Sequence, residues 1–256
     1  MVISFITEQG GVGKTSLCYN LAWYIASSGK KVLMIDLDPQ GGNLSFMMGV
    51  PNRDNQMGIY EYMEEKIDSI KEAILKIKEN LYIIPANESC IDLHKLLSNE
   101  QNGEYVIKAI IDQVKDDYDY VFIDLNPTPS MTHVSSLVAS DKMIIPAMVD
   151  GKTIEATKHV LDTYKAVKES YNPELEVLAV VYNMYSVRRN LGKAVEAELK
   201  GYCNALKINI ANAKIPNTVE IAETSLAHIG VTEYAKSSKG SKAFKELVSE
   251  LFGISE

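Results

Sequence analysis

Short apolar runs separated by amphipathic stretches set the layout of this chain. The runs cover Val2–Ile6, Lys31–Ile35, Leu81–Pro85, Tyr120–Ile123, Lys142–Ile145 and Leu175–Val181. Most are continuous rather than alternating, the mark of strands buried on both faces of a parallel sheet. A weaker run at Ile208–Ala211 predicts a last strand. Between the runs, helices are predicted over Ser16–Ser28, Ile67–Lys78, Gly103–Lys115, Ile154–Glu169, Asn190–Lys200 and Ser241–Phe252. In the second of these, Ile67, Ile70, Ile74 and Ile77 recur at helical spacing. The alternation predicts an α/β fold, a doubly wound, mostly parallel sheet flanked by helices. No repeat, low-complexity tract or linker-like stretch interrupts the 256 residues, so 1–256 reads as a single domain.

The chemistry begins where the first run ends. The chain there reads Glu8, Gln9, Gly10, Gly11, Val12, Gly13, Lys14, Thr15, Ser16, and a predicted helix follows. Glycines let a backbone curl so that successive N–H groups face phosphate oxygens. The helix N-terminus adds its positive dipole end. In such a loop Lys14 reaches the β- and γ-phosphates and the Thr15 hydroxyl ligates magnesium. The common form of the motif has glycine where Glu8 stands, but strand before and helix after give the remaining GGVGKTS its required context. ATP with Mg2+ is therefore the expected ligand pair.

Two further strand ends carry carboxylates. The second run leads into Asp36, Leu37, Asp38, Pro39 and Gln40, and the fourth closes on Asp124. Open α/β sheets bind ligands at the carboxyl ends of their strands. Asp36 is a candidate to hold a magnesium-bound water, Asp38 to orient the attacking water, and Asp124 to complete the magnesium side.

Composition narrows the function classes. The formal charge of −8 gives no global attraction to nucleic acid or anionic membrane. Cys18, Cys90 and Cys203 form no CxxC pair, which argues against zinc or iron–sulfur and fits reduced cytoplasmic thiols. His94, His133, His159 and His228 are scattered and read as ordinary surface or core residues. No apolar stretch is long enough for a membrane span, and the N-terminus lacks signal-peptide features.

Together these elements resemble the ParA/MinD group of deviant phosphate-loop ATPases, in particular its short ParA-type partition members. GGVGKTS, VLMIDLDPQGGNLS, LYIIPAN, DYDYVFID and NMYSVRRNL each resemble stretches of that family in the same order, as do IPNTVEIAE and SKGSKAFKELVSEL. The chain starts at the first strand, like members without an N-terminal DNA-reading domain. The resemblance implies an ATPase that dimerises face to face around two ATP molecules. It implies nonspecific DNA binding in the ATP state and slow hydrolysis triggered by a ParB-like, centromere-bound adaptor. By position, Gln9, Gly10, Gly11, Val12, Gly13, Lys14, Thr15 and Ser16 form the nucleotide loop, with Lys14 and Asp38 needed for hydrolysis. Asn183 and Pro216 fall where the family frames the adenine.

The sequence departs from that family in two places. Its signature lysine, which reaches across the dimer, is Gln9 here, so trans activation weakens or another cation supplies it. Arg188 and Lys152 are candidate substitutes. The family's arginines after the late Ile-Pro are also missing, since the stretch reads Ile215, Pro216, Asn217, Thr218, Val219, Glu220. Arg188, Arg189, Lys193, Lys200, Lys207, Lys214, Lys236, Lys239 and Lys242 remain as potential phosphate contacts. Two alternatives follow. One is a slowly hydrolysing ATP-bound scaffold that recruits a protein without DNA, motivated by Glu8 and Gln9. The other is a MinD-like positioning ATPase, which needs a basic amphipathic tail. The tail Leu247–Glu256 has Glu250 and Glu256 but no Lys or Arg, so no membrane contact is expected.

Overall fold

The computed structural model describes residues 1–38, 43–50, 56–186 and 190–255. The first half of the chain runs β1 (Val2–Phe5), α1 (Lys14–Ser27), β2 (Val32–Leu37), α2 (Asn43–Met47), α3 (Ile59–Met63), β3 (Leu75–Lys78), β4 (Leu81–Ile84), α4 (Leu93–Asn99) and α5 (Val106–Asp112). It continues through β5 (Tyr120–Leu125), α6 (Met131–Ala139), β6 (Lys142–Ala147), α7 (Thr153–Ser170), β7 (Glu176–Tyr182), α8 (Asn190–Ala205), α9 (Val219–Ala227), α10 (Val231–Tyr234) and α11 (Lys239–Phe252).

The strands form a seven-stranded sheet in the order β3-β4-β2-β5-β1-β6-β7. Every pairing is parallel except β3 with β4. Successive side chains of a strand point to opposite faces, and the apolar residues divide accordingly. Leu33, Ile35, Val121 and Ile123 join one buried cluster, while Val32, Met34 and Phe122 join the other. Helices cover both faces, which is why the strands read as unbroken apolar runs. Helix α1 is buried along most of its length, as a helix apolar on nearly all sides must be. It packs against α10 and α11 on the sheet.

The helix predicted over Ile67–Lys78 is absent. A short 3-10 turn at Ile70–Ala73 is followed by β3, antiparallel to β4. Isoleucine spacing fitted a helix, but Leu75 and Ile77 against Lys76 and Lys78 also alternate with period two. Pairing with β4 satisfies the backbone of 75–78, and Asn80, at φ 63°, makes the tight reversal between them. The predicted helix Gly103–Lys115 is shorter: a 3-10 turn at Gly103–Tyr105 leads into α5, and another lies at Lys115–Asp117. The weak strand at Ile208–Ala211 is only an isolated bridge from Ile210 to Val180. Asn209 O accepts from Val180 N at 2.9 Å, and Ala211 N donates to Val180 O at 2.9 Å.

This topology brings the ends of β1, β2 and β5 side by side. Phe5 is in register with Asp124, and Asp124 with Asp36. Residues far apart in sequence thus meet at one edge of the sheet.

Candidate functional site

The segment between β1 and α1 is a loop held open by its backbone. Gly11 and Gly13 adopt left-handed conformations, at φ 76° and 72°, which a side chain would strain. At Gly13 a Cβ would also stand 2.7 Å from Asn183 Nδ2, so that amide would have to shift. Val12 is buried and pins the loop to the core. No side chain caps the N-terminus of α1, and no acidic residue lies in its first turn. Its first N–H groups and dipole are left for an anion. A cavity of about 550 Å³ opens there, lined by the loop together with Asp38, Phe46 and Pro127.

Lys14 lies at the floor of this cavity. Its Nζ donates to Asp124 Oδ1 at 2.5 Å, and both side chains are buried. Burial pushes the Asp124 carboxyl above the usual carboxylate range, while Lys14 and the Thr15 hydroxyl pull it back. Asp124 Oδ2 is fully buried with no hydrogen-bond partner. The donors here, Thr15 hydroxyl and carboxylate oxygens, are hard oxygen ligands of the kind Mg2+ prefers. The unpaired Oδ2 is an oxygen such an ion, or its water, would satisfy. Among the described residues no group of three or more His, Cys, Asp or Glu forms a cage for a metal.

The two aspartates of β2 have different surroundings. Asp36 Oδ1 accepts from Asp38 N at 3.1 Å, and Oδ2 from Ser45 N at 2.9 Å and Ser45 Oγ at 2.7 Å. Burial, then the neighbouring Asp124, pushes its carboxyl up to about 7. Both Asp36 oxygens are thus engaged within the protein. Asp38, also buried, lines the phosphate cavity itself.

Asn183, expected at the adenine, braces the loop from behind. Its Nδ2 donates to Val12 O at 2.8 Å and Gly13 O at 2.9 Å, and its N–H donates to Ala147 O at 2.9 Å. Pro216 is bridged to Tyr185 beside this position and does not line the phosphate cavity.

Gln9 faces the other way. Its Nε2 donates to Asp150 Oδ2 at 2.7 Å, and its Oε1 lies 3.4 Å from the Thr153 hydroxyl. Glu8 is 3.3 Å from His159. These contacts tie the loop to the β6–α7 turn and border a second cavity of about 910 Å³. The two cavities meet at Gln9 and Gly10.

Several contributors escape a motif search. Ser45 fixes Asp36, and Asp150 fixes Gln9. His133, at the start of α6, hydrogen-bonds Asn126 O at 2.9 Å, and burial pulls its imidazole down to about 4. None has a local sequence signature. Among the candidate phosphate-contacting cations, Lys214 is paired with Glu196 and packs over the Tyr185 ring. Lys193, Lys200, Lys207, Lys236, Lys239 and Lys242 are exposed. Arg188, Arg189, Pro39 and Gln40 lie outside the described residues. The apolar face of the tail is already used: Leu247 and Val248 are buried, and Phe252 packs on Tyr120 and Phe122. No described helix is long and apolar enough to cross a membrane.

The family model AAA_31, described as an AAA domain, matches residues 1–177. A protein of Methanocaldococcus jannaschii is 35% identical over 254 residues, covering 96% of this chain and 96% of its own. The chromosome-partitioning ATPase Soj of Treponema pallidum is 28% identical over 247 residues, covering 96% of this chain and 95% of its own. Among solved structures, an ATP complex of a Cyanothece McdA variant superposes with a TM-score of 0.87 at 21% identity, covering 100% of this chain and 97% of that one. The septum site-determining protein MinD of Pyrococcus horikoshii OT3, complexed with Mg-ADP, superposes with a TM-score of 0.76 at 23% identity, over 98% and 95%. At these identities the superpositions speak for the fold.

Proposed function

We propose that this chain, which belongs to the ParA/MinD family of phosphate-loop ATPases, is an ATP-dependent partition ATPase that dimerises around bound ATP. The observation that carries this reading is the buried Lys14–Asp124 pair beneath an uncapped helix N-terminus. An unpaired carboxylate oxygen and a row of free amides are costly unless a ligand meets them. Mg-ATP carries both complements, a hard cation and a phosphate chain.

The residues then take distinct parts. The backbone of Gly10–Gly13 and the first turn of α1 bind the phosphates. Lys14 exchanges its contact with Asp124 for the β- and γ-phosphate oxygens. Thr15 and Asp124 hold the magnesium side, where the ion neutralises phosphate charge. Asp38 orients the attacking water and accepts its hydrogen bond. Asp36 keeps Asp38 and the start of α2 in place through its hydrogen bonds. Asn183 holds the loop's shape, and the adenine lies toward Pro216.

The finer part of the reading is a cytoplasmic switch. In the ATP state the dimer holds DNA nonspecifically, and a centromere-bound, ParB-like adaptor stimulates hydrolysis. The exposed lysines around α8, α10 and α11 are the phosphate contacts in this scheme.

The test is sedimentation with ADP and then ATP, on wild type and Asp38→Ala. The wild type should dimerise transiently with ATP, and Asp38→Ala should remain dimeric because hydrolysis is blocked. The ATP-loaded dimer should retain random-sequence DNA at low salt and release it as salt rises. Chains that bind ATP yet stay monomeric would overturn the dimer, and failure to retain DNA would leave the scaffold reading.

A further inference from the structure

A third cavity, of about 650 Å³, opens between α5 and the segment that follows α3. It shares no lining residue with the two beside the nucleotide loop. Its apolar wall is made by Met63, Ile67, Val106 and Ile110, and the first three are only half-buried. Gln113 Nε2 donates to Tyr62 OH at 3.1 Å and ties the two sides of the cavity together. A preformed concave surface with apolar area left facing water favours an apolar occupant.

The charged residues lining this cavity are Glu65, Asp68 and Glu100, all exposed carboxylates. Among the described residues none of the three is joined by an ion pair or a side-chain hydrogen bond. Lysines of the neighbouring segments are engaged elsewhere. Lys71 pairs with Asp117, Lys108 and Lys115 pair with Asp112, and Lys66 packs over the Tyr60 ring. An apolar floor inside a wholly acidic rim selects by two chemistries at once: apolar side chains fill the floor and cations meet the rim. A phosphate chain or nucleic acid would be repelled, and a second copy of this chain would bring a net charge of −8. We propose that this cavity docks a short segment of a partner protein in which apolar side chains are flanked by lysine or arginine.

Hydrogen bonds lead from the cavity wall to the nucleotide site. Glu61 of α3, next to Tyr62, is buried, and its Oε1 accepts from Asn87 Nδ2 at 2.9 Å. Ala86, adjoining Asn87, donates its N–H to Ser45 Oγ at 3.1 Å, and Ser45 Oγ donates to Asp36 Oδ2 at 2.7 Å. A segment that moves α3 therefore acts on bonds that end at Asp36, and its affinity and that of the nucleotide are linked reciprocally. This link rests on nucleotide binding at the site described above; the docking does not.

Fluorescence anisotropy with a labelled Leu/Lys peptide, its leucines at helical spacing, tests the docking, with Leu/Glu and Ser/Lys peptides of the same length as controls. Wild type should bind the first and neither control, and binding should weaken as salt rises. The reversal Glu65→Lys, Asp68→Lys, Glu100→Lys should lose roughly tenfold or more in affinity while keeping its Tm and its affinity for Mg-ADP. A matched reversal of exposed carboxylates on α7, α8 and α11, Glu169→Lys, Glu198→Lys, Glu246→Lys, carries the same net charge and should bind like wild type. The neutral set Glu65→Gln, Asp68→Asn, Glu100→Gln should weaken binding less, and it replaces the first reversal if that chain fails to fold. Equal losses in the two reversals would show attraction to net charge alone and overturn the site. So would a wild type that binds no peptide, or binds the Ser/Lys control equally. Wild type that self-associates without nucleotide, and ceases to do so on the first reversal, would make a second copy the occupant and overturn the partner segment. Saturating Mg-ADP should change the Leu/Lys peptide's Kd by about fivefold or more. An unchanged Kd would overturn the link to Asp36 and leave the docking standing.

Discussion

Asp36 is a carboxylate placed where a charge is costly. It is fully buried and faces Asp124 across the β2–β5 pairing, and its carboxyl is pushed up to about 7. A carboxyl that titrates higher in the folded chain than in the unfolded one holds its proton longer when folded. Between its unfolded value near 4 and its folded value near 7, folding therefore takes up a proton, and stability falls as pH rises. The loss is at most about 4 kcal/mol. His133 runs oppositely: burial pulls it down to about 4, so its contribution is lost as pH falls from about 6.5 through 4. Asp36→Asn removes the first term alone. Urea unfolding of the nucleotide-free chain at pH 5 and pH 7.5 should show Asp36→Asn gaining on wild type at the higher pH. A difference that stays constant with pH would mean that Asp36 is not held protonated by its site.

Asn183 belongs to the scale of elements, because it joins the end of β7 to the loop that opens α1. Its two hydrogen bonds reach Val12 and Gly13 across 171 and 170 positions of sequence. Asn183→Ala removes them and shifts the loop, so ATP affinity should fall about tenfold, as for the loss of one or two buried hydrogen bonds. Inorganic triphosphate, which has no base, separates the two roles for this residue. A loop brace predicts that triphosphate and ATP weaken alike; an adenine contact predicts that only ATP weakens. The same distance explains what was legible in the sequence. GGVGKTS and the carboxylates ending β2 and β5 are contiguous with their strands, so both motif and setting could be read directly. The brace by Asn183, the Ser45 bonds to Asp36 and the Asp150 bond to Gln9 link distant segments with no shared pattern. Strand β3 was hidden for another reason. Ile77 fits both the helical spacing of Ile67, Ile70 and Ile74 and the period-two alternation with Leu75, and the choice was made by the hydrogen bonds that β4 offers, which lie outside the segment itself. Helices α2, α3 and α10, five, five and four residues long, are too short to show a period at all.

At the scale of the whole molecule, the site draws on both halves of the sheet, so filling it should stabilise the entire chain. The loop comes from β1 and α1, Asp38 from β2, Asp124 from β5, and the brace from β7. Unfolding any of these elements dissolves the site, and a nucleotide that binds only the folded form shifts the whole equilibrium. At a hundredfold excess over Kd that shift is worth about 2.7 kcal/mol. For a chain of this size it should raise Tm by about 5–10 °C. Lys14→Ala should abolish the rise, with each variant compared with and without Mg-ADP so that its altered pairing with Asp124 cancels. ADP and ATP then separate binding from assembly. A shift from binding alone depends on nucleotide concentration and not on protein concentration. If ATP also closes a dimer, association adds a second linkage, and the ATP-induced shift in Asp38→Ala should grow with protein concentration while the ADP shift stays level. Equal concentration dependence for the two nucleotides would place the chain among proteins that bind ATP without using it to assemble.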